Sequence, residues 1–169
     1  MSVVSPTRRT ANASRSRRTL EVIVLVALVL SAVLTGCSRS PALLTTDGAT
    51  HHVADHAGHW LLVNYWAQWC APCRQEIPEL NALFTARPGE VAVYGVNYDG
   101  VSGAALIKLS TEMGIQFPVL ANDPAEALGL LRPEVLPTSY LIAPDGRRLT
   151  LIGPQTQASI AARLAAAQN

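Results

Sequence analysis

Two of the three cysteines, Cys70 and Cys73, stand three residues apart with Ala71 and Pro72 between them. A Cys-x-x-Cys pair can hold a metal, staple a loop or carry electrons. Structural zinc sites want four ligands, often two such pairs, and there is no second pair. A staple across so short a loop gains little chain entropy. Electron transfer asks only for a thiolate and a second thiol within reach. At a helix N-terminus the free N–H groups and the macrodipole favour an anion, and a thiol pKa falls there from about 8.5 toward about 3.5–7.5. Cys70 is then the attacking thiol and Cys73, one turn on, the resolving thiol. Pro72 stiffens the turn between them. The direction of electron flow does not follow from the spacing.

Other side chains could join or rival this chemistry. Glu76 lies three residues past Cys73, on the same helical face. A partly buried carboxylate beside a thiol raises both pKa values and can relay a proton; the plainer alternative is a solvated helix glutamate. His51, His52, His56 and His59 are all the histidines of the chain. Their spacing could ligate copper or another borderline metal, although an edge strand and its turn, Asp55 to Gly58, facing water accounts for them better, since only Asp55 offers a carboxylate to orient a ligand. Trp69 is expected at the surface, lining a substrate groove, and Trp66 in the core. Tyr98-Asp99-Gly100 follows a strand end, where α/β ligand sites often lie, but also suits a loop opening the next helix.

The elements that would position these residues can be read from the pattern. Trp60 to Trp66 is a continuous apolar run of strand length, suited to a buried central strand. Ala71 to about Ala86 reads as a helix, with Pro72 in its first turn and an apolar stripe of Ile77, Leu80, Leu83 and Phe84. Pro78 should kink it. Val91–Val96 is a strand, Val101–Met113 a helix, Phe117–Ala121 a short strand and Pro124–Leu130 a short helix. Thr138–Ala143 and Arg147–Ile152 form a hairpin around Pro144-Asp145-Gly146. Gln155–Ala167 closes the chain as a helix. A β-α-β start followed by a hairpin and a helix makes an α/β domain with a mixed sheet.

The stretch Trp66-Ala67-Gln68-Trp69-Cys70-Ala71-Pro72-Cys73 resembles the active-site segment of thioredoxin-fold proteins. Leu136-Pro137-Thr138 is similar to that fold's cis-proline loop, whose backbone offers hydrogen bonds to an extended substrate; an ordinary strand-entry proline is the alternative. Within the fold, Leu62-Val63-Asn64-Tyr65-Trp66 and Cys73-Arg74-Gln75-Glu76-Ile77-Pro78 resemble the TlpA/ResA/CcmG group of membrane-tethered thiol–disulfide oxidoreductases. The longer stretch between Val91 and Leu131 resembles that group's central insertion. The resemblance covers roughly residues 46–167. It implies a thioredoxin-like α/β fold, a mixed central sheet flanked by helices, and dithiol–disulfide exchange with no cofactor beyond the redox-active Cys70–Cys73 disulfide. It places Cys70, Cys73, Glu76 and Pro137 in the catalytic apparatus, with Trp69, Leu136 and Pro72 against the substrate. It also implies a reductive role toward exported proteins, such as apocytochrome c or the copper-site cysteines of oxidase subunits, with electrons from a membrane thiol-transfer protein. Asn64 departs from thioredoxin itself, which carries a buried, proton-moving aspartate there; an amide cannot take that part.

The first forty residues differ from the rest. Arg8, Arg9, Arg15, Arg17 and Arg18 precede Val22–Leu34, thirteen residues without a charge. That is short of the roughly 20 residues of a comfortable membrane span and fits a secretory signal. It ends in Leu34-Thr35-Gly36-Cys37, which resembles the lipobox of bacterial lipoproteins. Residues 1–36 then form the signal, and Cys37 carries lipid at the head of a tether to residue 46. Residues 47–169 form the domain, in the periplasm or on the envelope exterior. An uncleaved anchor with an incidental cysteine is the alternative. Beyond residue 36, eight Lys and Arg face eleven Asp and Glu. That leaves no clustered basic face for nucleic acid. The rival functions are a copper-delivery protein using the cysteines and His51–His59, and an interaction domain whose disulfide merely staples a helix start.

Overall fold

The computed structural model describes residues 40–167. Two short strands, β1 (Ala42–Leu44) and β2 (Thr50–His52), form an antiparallel ribbon, followed by a 3-10 turn at Val53–His56. The main sheet holds β3 (Trp60–Trp66), β4 (Val91–Asn97), β5 (Thr138–Ile142) and β6 (Arg148–Ile152) in the order β4-β3-β5-β6. Strand β3 runs parallel to β4 and antiparallel to β5, and β5 is antiparallel to β6. The helices are α1 (Ala71–Ala86), α2 (Gly103–Glu112), α3 (Ala125–Leu128) and α4 (Gln157–Ala166). This is the expected thioredoxin-like mixed sheet flanked by helices.

Strand β3 sits at the centre and is buried along its whole length, as its unbroken apolar run requires. Its alternate side chains feed opposite faces. Trp60 and Leu62 pack with Leu80 and Leu83 of α1 and Ile160 and Leu164 of α4. Leu61, Val63 and Tyr65 pack on the other face with Leu43 of β1 and Leu128 of α3. Asn64 therefore lies on the α1 side of the sheet, a polar residue within an apolar row.

Several boundaries differ from the sequence reading. The tether to residue 46 is shortened, because Ala42–Leu44 pairs with β2 and Leu43 and Thr45 are buried. Phe117–Ala121 does not form a full strand. Only isolated bridges join Val119 to Gly95 and Leu120 to Thr45, since Pro118 cannot donate to a ladder. The helices after Val101, Pro124 and Gln155 begin one or two residues later. Helix α1 runs unbroken through Pro78 to Ala86. Helices α2 and α3 fill the stretch between β4 and β5. Among the described residues, no helix is long and apolar enough to cross a membrane. Cys37 and the whole proposed signal lie outside the described residues.

Candidate active site

The end of β3 delivers the chain to α1 through Ala67-Gln68-Trp69. Cys70 is the N-cap of α1, and its Sγ accepts the backbone N–H of Cys73 at 3.2 Å. That bond satisfies one of the helix's orphan donors. Pro72 occupies the first turn, where a missing N–H is harmless. Cys70 and Cys73 form a disulfide. Both are buried, packed with Trp66, Ala67, Ile77, Leu106, Met113 and Val119.

The Leu136–Pro137 peptide bond is cis, and Leu136 packs against the cluster that holds both cysteines. The Pro137 carbonyl accepts the N–H of Gly153 at 2.9 Å, which fixes this loop to the end of β6. The expected active-site loop is thus brought to the disulfide. Trp66 is fully buried, while Trp69 is 65% exposed beside the cysteines. The Trp69 indole Nε1 donates to both carboxylate oxygens of Asp99 at 3.1 Å, and its ring meets Tyr98 edge-on. Arg132 lies over the Tyr98 ring, 4.3 Å from its centroid, and donates to the Tyr98 carbonyl. Tyr98 and Asp99 are therefore more than a loop opening the next helix: they hold the exposed indole.

Glu76 is not a solvated helix residue. It is 1% exposed. Its Oε2 accepts from Asn64 Nδ2 at 2.9 Å and its Oε1 from the backbone N–H of Gln155 at 3.1 Å. Burial pushes its pKa up to about 7, against the pull of the Gln155 and Asn64 donors. A carboxyl group one turn beyond Cys73 thus changes charge near neutrality, which suits proton transfer at that pH. Asn64 also donates to Ser139 Oγ at 2.9 Å. The sequence reading did not single out Ser139 or Gln155. Ser139 follows from register alone, since it is the β5 partner of Asn64.

The histidines lie on β2, on the 3-10 turn after it and in the loop before β3. The rings of His51 and His56 stack at 6.4 Å, and both meet Tyr94 edge-on. His56 Nε2 is 3.1 Å from Tyr94 Oη. The Asp55 carboxylate accepts the backbone N–H of His52 at 2.6 Å and so is spent within the turn. Among the described residues, no group of three or more His, Cys, Asp or Glu side chains converges to hold a metal.

Comparison with known proteins agrees with this geometry. Residues 39–147 match the AhpC/TSA family. The thiol-disulfide oxidoreductase ResA of Geobacillus kaustophilus is 30% identical over 134 residues, which span 77% of this chain and 76% of that one. StoA from Bacillus subtilis superposes with a TM-score of 0.58 at 22% identity, over 72% of this chain and 96% of that one. The pneumococcal exposed lipoprotein thioredoxin Etrx1 of Streptococcus pneumoniae does so with a TM-score of 0.61 at 22% identity, over 74% and 97%.

Proposed function

This chain belongs to the AhpC/TSA family and is a thiol–disulfide oxidoreductase, and on that premise we propose that it reduces disulfides of exported proteins outside the cytoplasm, held to a membrane by lipid on Cys37. The observation that carries the exchange chemistry is Glu76, a buried carboxyl group that changes charge near neutrality one turn from the resolving cysteine; the reductive direction rests on the resemblance to the TlpA/ResA/CcmG group.

In the dithiol form, the Cys70 thiolate attacks one sulfur of the substrate disulfide. The substrate S–S bond breaks, a mixed disulfide forms, and the first substrate thiolate takes a proton from solvent, which received the proton of Cys70. Cys73 then loses its proton to Glu76 and attacks Cys70 Sγ. The mixed disulfide breaks, the second substrate thiolate leaves and takes the proton from Glu76. The substrate gains two electrons and two protons, and Cys70–Cys73 becomes the disulfide. A membrane thiol-transfer protein restores the dithiol, so the cysteine pair is the redox group and needs no separate cofactor. Trp69, Pro72 and the Leu136-Pro137 backbone meet the substrate. Apocytochrome c and copper-site cysteines are the substrates this reading favours. The lipid anchor rests on Leu34-Thr35-Gly36-Cys37 and on a structural relative described as a lipoprotein.

The reduction potential of the full-length protein in detergent tests the direction. A value near about −270 mV is expected, and one near about −120 mV would mark an oxidant instead. The pH–rate profile of exchange tests Glu76: Glu76→Gln should remove the inflection near pH 7, and an unchanged profile would take Glu76 out of the proton path. Loss of lipid labelling in Cys37→Ser tests the anchor.

A further inference from the structure

We propose that Asn64 is a positioning residue of the exchange reaction: its side-chain amide turns over with the proton on Glu76, and the Ser139 hydroxyl turns with it. The inference deepens the reading of Glu76 as proton relay and rests on it.

The observation is a closed polar group inside an apolar core. Asn64, Glu76 and Ser139 are each 1% exposed or less. In the arrangement seen, Asn64 Nδ2 spends its two protons on Glu76 Oε2 and Ser139 Oγ, both at 2.9 Å. Asn64 Oδ1 is buried without a partner. This arrangement suits an ionised Glu76, because the carboxylate only accepts. Once Oε2 carries a proton, Nδ2 faces a donor, and a buried donor without an acceptor is costly.

A half-turn of the amide takes that conflict away from Glu76. It exchanges Oδ1 and Nδ2 with almost no change in the positions of the atoms. Oδ1 then accepts from the Glu76 hydroxyl. Ser139 Oγ, which accepted before, donates to the same Oδ1, since a hydroxyl serves in either sense. Both charge states of Glu76 are thereby hydrogen-bonded in one frame; the amide atom left over is Oδ1 in the first and the NH2 group in the second, so the turn moves the cost away from the carboxyl group rather than abolishing it. A leucine at position 64 could not do this, and an aspartate could do it only by taking up the proton itself. The register secures the geometry, because Asn64 and Ser139 are direct partners across β3 and β5.

No charged side chain competes for this role. The groups around Glu76 are Cys73 and Glu79 a turn to either side on α1, neutral Asn64 on β3, neutral Ser139 on β5, and the Gln155 N–H from the loop before α4. Glu79 is engaged by the N–H of Gln157 at 2.9 Å, and the exposed Arg74 by the Gln68 carbonyl at 2.5 Å.

The test uses full-length oxidised protein in detergent, with Glu76 ionisation followed by carboxyl NMR and exchange followed across pH. Asn64→Leu removes a charge-assisted donor from the ionised state and a neutral acceptor from the protonated one while keeping the burial. Its Glu76 midpoint should rise by about one pH unit, the difference between those two bonds. The near-isosteric Asn64→Asp should also raise the upper midpoint, because two carboxyl groups would share one proton. Ser139→Ala removes one bond from each arrangement and should leave the midpoint in place. In the unmodified chain, the Asn64 side-chain NH2 protons should show contacts to the Ser139 β-protons above the midpoint and lose them below it. Contacts that persist on both sides, or midpoints unmoved in Asn64→Leu and Asn64→Asp, would overturn the inference. A Glu76→Gln protein with an unaltered pH–rate profile would instead remove the relay reading on which it stands.

Discussion

The backbone N–H of Gln155 donates to Oε1 of Glu76 at 3.1 Å, which joins the redox helix to the loop before α4. The neighbouring Glu79 does the same for the N–H of Gln157 at 2.9 Å, at the first turn of α4. Two carboxyl groups of one helix thus hold the entry of another. The inner of the two is the group whose charge changes near neutrality.

The stability of the oxidised protein should record that change. Glu76 has an ordinary pKa of 4.5 and titrates at about 7 in the fold. Between those values the folded chain keeps a proton that the unfolded chain has lost. The associated stability is fully present below pH 4.5 and is lost as pH rises through about 7, for a total of about 3 kcal/mol. His56 acts in the opposite sense, because burial lowers its pKa and its stability is lost as pH falls. Denaturant melts across pH therefore compare the native chain with Glu76→Gln, where the His56 contribution cancels. The expected difference is a falling slope present only in the native chain. Parallel curves would place an ionised Glu76 in the fold.

The two cysteines should separate cleanly in function. Cys70→Ser should abolish exchange, since the attacking sulfur is gone. Cys73→Ser should still attack and then stall, leaving a mixed disulfide between Cys70 and the substrate. Non-reducing gels followed by mass spectrometry would detect that adduct. An adduct in Cys70→Ser instead would reverse the assigned roles.

The parts of this site that were legible in the sequence are those written by local chemistry. Cys-x-x-Cys before an apolar stripe announces a helix with a thiol at its cap, and Pro144-Asp145-Gly146 announces the hairpin. The unbroken apolar run at Trp60–Trp66 announces the central strand. Burial of Glu76 was legible only as one of two alternatives, because helix position does not say what packs above it. Ser139 and Gln155 were not legible at all. Each meets Glu76 or Asn64 through pairing at more than seventy residues' separation, which depends on register and not on local pattern. The tether overran for a related reason. Ala42–Leu44 looks unremarkable until β2 and the sheet cover it.

Gly95 should prove intolerant of a side chain. It lies beside Asn64 on β4, and its carbonyl and N–H bond to Leu120 and Pro118. A Cβ there would meet Trp66 Nε1 and Phe117 Cε2, each at 3.0 Å. Both rings are buried. Gly95→Ala should therefore destabilise the protein by about 1–3 kcal/mol through overpacking. Equilibrium unfolding measures this, and an unchanged midpoint would mean that the rings move aside freely.

Trp69 should matter for binding more than for folding. Its ring is mostly exposed, yet Asp99 and Tyr98 hold it in one orientation. An aromatic surface held rigid beside a reactive pair is a typical binding anchor. Trp69→Ala should raise the KM for a protein disulfide about tenfold, equal to about 1.4 kcal/mol. The melting temperature should hardly move. Asp99→Ala, which frees the indole without removing it, should give a smaller effect of the same kind. Equal KM values for all three proteins would take the indole out of the substrate surface.

The histidines should prove structural. His56 bonds to Tyr94, and His51 packs on the same ring, so the pair fastens the β1–β2 ribbon and its following turn to the sheet. His56→Ala should cost about 1 kcal/mol, the usual worth of one such bond, read by denaturant titration. Disulfide exchange should be untouched, because these rings belong to the ribbon and not to the cluster around Cys70 and Cys73. Copper titration of the reduced protein completes the test. Tight, stoichiometric binding that disappears in a His51/His52/His56 triple alanine variant would revive metal delivery. Binding that is weak and indifferent to the histidines leaves them as packing for the ribbon.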